Sequence, residues 1–296
     1  MFENLYVLYA NENYLDIVNT CAKSIKTFSK IPVYVYLLNS DRLVPYADVT
    51  FNWECDIDID ESNRMYIKEG DNFYVNRSSK RIYRLIKERP LIVKDALKYS
   101  KNVCYIDCDS VVTPFIDRSF MLFDSGSSYP FATEGVYDFL IMNGKGGASS
   151  FDDLSTTLEH PVCELLGINQ YNRKKYRTSN IFVAGQNCID FLDEWYWSCI
   201  NPKILAKPEL YAPFQEETLM NVLLWKYNFQ DGLPYVYANA SLDKIDLIYN
   251  ELGFTGETQM ISQWFKLPKS KDELLAFHGE KRVDVMEQMI QKLMTI

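Results

Sequence analysis

Apolar and polar residues along the chain change period in an order that reads as strand, helix, strand. LYVLYA (5–10) is continuously apolar over a strand's length; Tyr14, Ile17, Val18, Cys21, Ala22, Ile25 and Phe28 then recur at helical spacing until Pro32 interrupts them. VYVYLL (33–38) is a second apolar run. This order predicts a βαβ unit, the opening of a parallel sheet wound with helices, in which ligands bind beyond the carboxyl ends of the strands. Residues 52–77 are charged and read as irregular, a helix is expected over 78–88, and Pro90 is placed to open the next helix, running to about Tyr99. VCYI (103–106) follows as a buried strand. Further strands are expected near 129–133, 179–184 and 274–277, with helices over 187–199, 215–227 and 283–294 and a glycine-rich loop at 144–147. No repeat, low-complexity tract or long linker interrupts the pattern, so an α/β fold in one domain spanning 1–296 is expected.

Composition narrows the function classes. A net charge of −9, with no basic run longer than Arg173-Lys174-Lys175, argues against a nucleic-acid partner, which needs cationic side chains gathered on one face. The seven cysteines are odd in number and contain no C-x-x-C pair, so neither a zinc site nor a disulfide framework is indicated and a reducing compartment is expected. Glu3, Asn11, Glu12, Asn13 and Asp16 are foreign to a signal peptide, and no apolar run approaches the roughly 20 residues that cross a bilayer. A cytoplasmic protein with no transmembrane segment is the expectation.

The chemistry concentrates in NVCYIDCDSVV (102–112), where Asp107 and Asp109 stand one residue apart at the end of an apolar run. Side chains at i and i+2 of an extended chain share a face, so the two carboxylates can converge and, repelling one another, call for a cation between them. A hard divalent ion that bridges carboxylates to a substrate phosphate suits that place. Two other readings stay open at this point. The pair can simply cap a turn, or it can be the nucleophile motif of a haloacid-dehalogenase-like phosphatase, with Asp107 attacking phosphorus and Asp109 acting as acid and base.

Its flanks add a resemblance. YANENYLDIVNTCAKSI (9–25), IYRL (82–85), KYSKNVCYIDCDSVV (98–112), TSNIFVAG (178–185), EETLMN (216–221) and FHGEK (277–281) occur in the order of corresponding segments in one family. On these segments the chain resembles the nucleotide-sugar glycosyltransferases of the glycogenin and lipopolysaccharide galactosyltransferase family. The resemblance implies the A-type glycosyltransferase fold, a single α/β domain with a Rossmann-like, mixed, mostly parallel sheet flanked by helices. It assigns residues 1–112 to the nucleotide sugar and 113–296 to the acceptor. The implied activity is metal-dependent transfer of a hexose from a nucleoside diphosphate sugar, most readily a UDP-sugar, to a hydroxyl of a glycan or glycolipid acceptor. A non-catalytic nucleotide-sugar-binding protein on the same fold is the alternative within the family.

The resemblance also implies roles. Ala10, Asn11, Asn13 and Tyr14 would hold base and ribose, with Asn11 standing where the family carries Asp. Arg84 would contact the donor's sugar or diphosphate; read alone, it is an exposed helix charge. Asp107, Asp109 and His278 would ligate Mn²⁺ or Mg²⁺, and Lys281 would neutralise the departing diphosphate, although the spacing His-Gly-x-Lys is shorter than the family's. Asn180 would hydrogen-bond the donor sugar. Glu217 would be the carboxylate facing the sugar opposite the leaving group, implying retention of anomeric configuration, and Glu216 would bind donor or acceptor hydroxyls. Read alone, Glu216 and Glu217 oppose the positive end of a helix dipole. The loop at 144–147 fits no phosphate-binding signature and is expected to fold over the donor.

Overall fold

The computed structural model describes residues 1–55, 64–69, 72–79, 86–134, 163–168, 177–205, 216–229, 232–233, 237–238, 242–252, 260–262, 265–266 and 270–296. β1 (Phe2–Asn11) is buried from Leu5 to Ala10, as a strand covered on both faces must be. α1 (Leu15–Phe28) follows a single 3₁₀ turn and lays Val18, Cys21, Ala22 and Ile25, one helical face, against the core. β2 (Val33–Leu38) then pairs parallel to β1, and β3 (Val49–Trp53) parallel to β2 at the sheet edge. β4 (Arg64–Glu69) and β5 (Asn72–Ser79) form a separate antiparallel hairpin. α2 (Arg89–Ala96) leads into β6 (Ser100–Ile106), which pairs parallel to the other side of β1.

β7 (Ser110–Val112) leaves this sheet, while β8 (Phe131–Glu134) and β9 (Arg177–Gly185) complete it in the order β3-β2-β1-β6-β9-β8, with β9 antiparallel to both its neighbours. α3 (Ile189–Cys199) packs on α2 and on α4 (Glu216–Lys226), and α5 (Val283–Leu293) packs on α1. The sheet is thus mixed, mostly parallel and flanked by helices. Because β2 and β6 flank β1 on opposite sides, successive connections diverge there, and the carboxyl ends of β1 and β6 open a crevice between them. Asn11 and Ile106 mark its two lips.

An aromatic ladder braces the sheet beneath that crevice. Ring centroids run from Tyr9 to Tyr105 (5.7 Å), on to Phe182 (5.1 Å) and then to Trp195 of α3 (5.6 Å), joining three strands to a helix. Two expectations need correction. Residues 52–77 are not irregular throughout, since β3 extends to Trp53 and most of the β4–β5 hairpin falls among them. The helix expected over 78–88 collides with β5, which holds Ser78 and Ser79 in a strand; residues 80–85 lie outside the described residues. Alternation such as Val49, Phe51, Trp53 is the strand signal, but over so few positions, among charges, it is faint.

Candidate active site

β6 stops at Ile106, and Cys108 and Asp109 form the turn into β7. The two carboxylates therefore converge through a turn, not through the extended alternation expected for them. The turn is held from two sides. Asp107 N donates to Asn180 O of β9 (2.8 Å), while Asp109 O accepts from Gly279 N (2.9 Å) and Glu280 N (3.2 Å). Gly279 has φ 95°, a left-handed conformation that glycine adopts without a Cβ penalty, which explains the His-Gly pair.

The short strand Ala276–His278 pairs antiparallel with β7, and this register sets His278 opposite Ser110. Its Nδ1 lies 3.2 Å from Asp109 Oδ1 and 3.2 Å from Ser110 Oγ. One ligand atom each from Asp107, Asp109 and His278 fall within 4.8 Å of one another. Burial would raise the Asp109 pKa, but His278 and Lys281 outweigh it and hold the carboxyl below its ordinary value. Burial would lower that of His278, but Asp109 and Asp107 lift it above its own. Two carboxylate oxygens and an imidazole nitrogen are a donor set that fits a hard or borderline divalent ion such as Mg²⁺ or Mn²⁺.

The other lip carries the sequence-expected nucleotide residues. Asn11 Oδ1 accepts from Asn13 N (3.1 Å), shaping the 3₁₀ turn that ends at Tyr14, and Ala10 is buried. Lys281 spans the gap, with Nζ 5.6 Å from the Tyr14 ring centroid and 3.9 Å from Asp109 Oδ2. Burial depresses the Lys281 pKa less than Asp109 and Tyr14 raise it, so it stays a cation.

A buried polar cluster adjoins this group, organised by a residue the sequence reading did not select. Arg89, at the start of α2 beside Pro90, is only 5% exposed. Its Nη2 donates to Asp107 Oδ1 (3.0 Å), and its Nη1 to Glu216 Oε1 (2.7 Å), Ser179 O (3.3 Å) and Ser179 Oγ. The guanidinium lies 4.9 Å over the Tyr105 ring, whose hydroxyl donates to Asp107 Oδ1 (2.5 Å). Arg84 lies outside the described residues, as does the 144–147 loop.

Glu216 and Glu217 do occupy the first turn of α4, as the dipole reading requires, and both are also buried. Ser179 donates to Glu217 Oε2 through its backbone N (2.7 Å) and its Oγ (3.1 Å), and Oγ also bonds Glu216 Oε1 (3.3 Å). Asn221, one turn on, anchors α4 to β9 by accepting from Arg177 N (2.7 Å) and donating to Arg177 O (2.8 Å). Burial pushes the Glu216 carboxyl up to about 7; Arg89 opposes this, and the neighbouring charges of Glu217 and Asp107 reinforce it. Asn180 contributes its carbonyl to Asp107, while the side chain that meets the two glutamates is that of its neighbour Ser179. Strand alternation separates the two side chains onto opposite faces. Thus Arg89 and Ser179 join the strand-end carboxylates to the helix-start carboxylates.

No protein-family model matches the chain, and no curated protein matches it in sequence. Solved structures match it in fold. The galactosyltransferase LgtC in complex with donor and acceptor sugar analogs superposes with a TM-score of 0.56 at 11% identity, over 98% of this chain and 94% of that one. An active-site mutant of LgtC gives 0.53 at 13% identity, over 98% and 95%. The apo bifunctional glycosyltransferase WbbM gives 0.54 at 13% identity, over 99% of this chain but 51% of its own, so this chain spans about half of WbbM.

Proposed function

We propose that this chain, whose fold is that of the A-type glycosyltransferases, is a metal-dependent enzyme that moves a hexose from a nucleoside diphosphate sugar, UDP the favoured carrier, to a hydroxyl of a glycan or glycolipid. The observation that carries this reading is the meeting of Asp107, Asp109 and His278 at the crevice between β1 and β6, with the buried Glu216–Glu217 pair linked to Asp107 through Arg89. A donor at the strand ends would have its nucleotide along Ala10, Asn11, Asn13 and Tyr14, within the 1–112 half, and the acceptor would meet the 113–296 half. LgtC was crystallised with donor and acceptor sugar analogs, which supports the same pairing of ligands here.

Asp107, Asp109 and His278 would hold a divalent ion, which when bound offsets the negative charge that develops on the departing diphosphate. Lys281 adds a second cation on that side. On the other side, Glu217 faces the developing positive charge of the sugar, with Oε2 fixed by the two Ser179 bonds. A carboxylate placed there supports retention of configuration, through a covalent or ion-paired intermediate. Glu216, bonded to Arg89 and Ser179, would bind sugar hydroxyls.

Mn²⁺ with UDP at about 100 times its Kd should stabilise the protein by about 2.7 kcal/mol. For a chain of this size that is a melting shift on the order of 5 °C. Asp109→Ala should remove the shift. No shift with any nucleoside diphosphate would contradict the reading, and phosphate release from simple phosphomonoesters would point to the phosphatase instead.

A further inference from the structure

Lys281 stands on the carboxylate that the metal site needs. Its Nζ is 3.9 Å from Asp109 Oδ2, the oxygen not facing His278, and 5.6 Å from the Tyr14 ring, while 58% of its side chain stays open to water. Its backbone is fixed: Lys281 N and Arg282 N both donate to Oε1 of the buried Glu280 (3.0 and 2.9 Å), whose own N–H holds Asp109 O. Only the long side chain is free to turn.

In the free protein that ammonium partly neutralises Asp109, and a divalent ion arriving there meets a like charge at close range. A nucleoside diphosphate reverses the sign of the interaction, because its phosphates attract both the ion and the ammonium. From this contact, and resting on the glycosyltransferase reading above, we propose that Lys281 couples metal binding to nucleotide binding: it weakens the free protein's hold on a divalent ion and strengthens that hold once a nucleoside diphosphate is present. Linkage makes the effect reciprocal, so the nucleotide binds tightly only with the ion. Tyr14 gives the side chain its resting position on the nucleotide lip, one swing from either role.

Mn²⁺ titrations followed by electron paramagnetic resonance, without and with UDP, test this on the wild type, Lys281→Met and Lys281→Arg. The wild type should bind Mn²⁺ about tenfold more tightly with UDP. Lys281→Met should bind Mn²⁺ about fivefold more tightly than wild type without UDP, the scale of a half-exposed charge contact, and should lose most of the gain on adding UDP. Lys281→Arg should keep both wild-type affinities. Unchanged or weaker Mn²⁺ binding by Lys281→Met in the absence of UDP overturns the coupling, even if its affinity with UDP falls. Absence of Mn²⁺ binding by the wild type under both conditions overturns instead the metal-dependent reading on which the coupling rests.

Discussion

Arg89→Met should destabilise the protein by about 3–5 kcal/mol at pH 8, read from the urea midpoint. Arg89 is the cation shared by Asp107 and Glu216 in a cluster that also holds Glu217, and removing it leaves buried carboxylates uncompensated. The loss should be smaller at pH 5. In the wild type, Glu216 has its pKa raised from about 4.5 to about 7, so between these values the folded state keeps a proton the unfolded chain has released. Stability from this group is full below about 4.5, declines as pH rises toward 7 and is flat above. Without Arg89, which pulls this pKa down, the decline should extend to higher pH, so the gap between variant and wild type widens from pH 5 to pH 8. Adding Glu216→Gln to Arg89→Met should recover part of the loss at pH 8 and little at pH 5. Equal losses at both pH values would show that the arginine's contribution does not run through the ionisation of Glu216.

Glu217→Gln should lower turnover at least about 100-fold while leaving the melting shift with Mn²⁺ and UDP intact. The amide is nearly isosteric with the carboxylate, and its oxygen can still accept the two bonds from Ser179, so α4 and β9 stay joined. On the proposed reading, what disappears is negative charge opposite the leaving diphosphate, an interaction made chiefly in the transition state, so the loss belongs in kcat and not in KM. If Glu217 serves only the helix dipole, the variant should instead lose a few tenths of a kcal/mol of stability and keep its rate.

Legibility in the sequence followed physical signals of different strength. β1, α1, β2 and β6 could be read because continuous apolar runs and a clean helical period announce buried strands and a one-faced helix. β3 and the β4–β5 hairpin could not, because their alternation covers few residues among charges. Asp107, Asp109 and His278 were legible as candidates from the order of their segments, although what brings them together is a turn and the β7 register with Ala276–His278. Arg89 was missed because an arginine next to a helix-opening proline reads as a solvated boundary; only the fold reveals that it points inward to acceptors on three residues, Asp107, Ser179 and Glu216. Ser179 was passed over for Asn180, since the choice between adjacent polar residues depends on which sheet face meets α4.

The most direct measurement is a proton NMR time course of the wild-type protein with Mn²⁺ and a panel of UDP-hexoses, following the anomeric signals. Slow consumption of at least one donor is expected, abolished by EDTA, with UDP and a sugar product first appearing in the donor's own anomeric configuration. Donors that all remain intact with Mn²⁺ and acceptor glycans present would contradict glycosyl transfer, and an inverted first product would remove Glu217 from its proposed place opposite the leaving group.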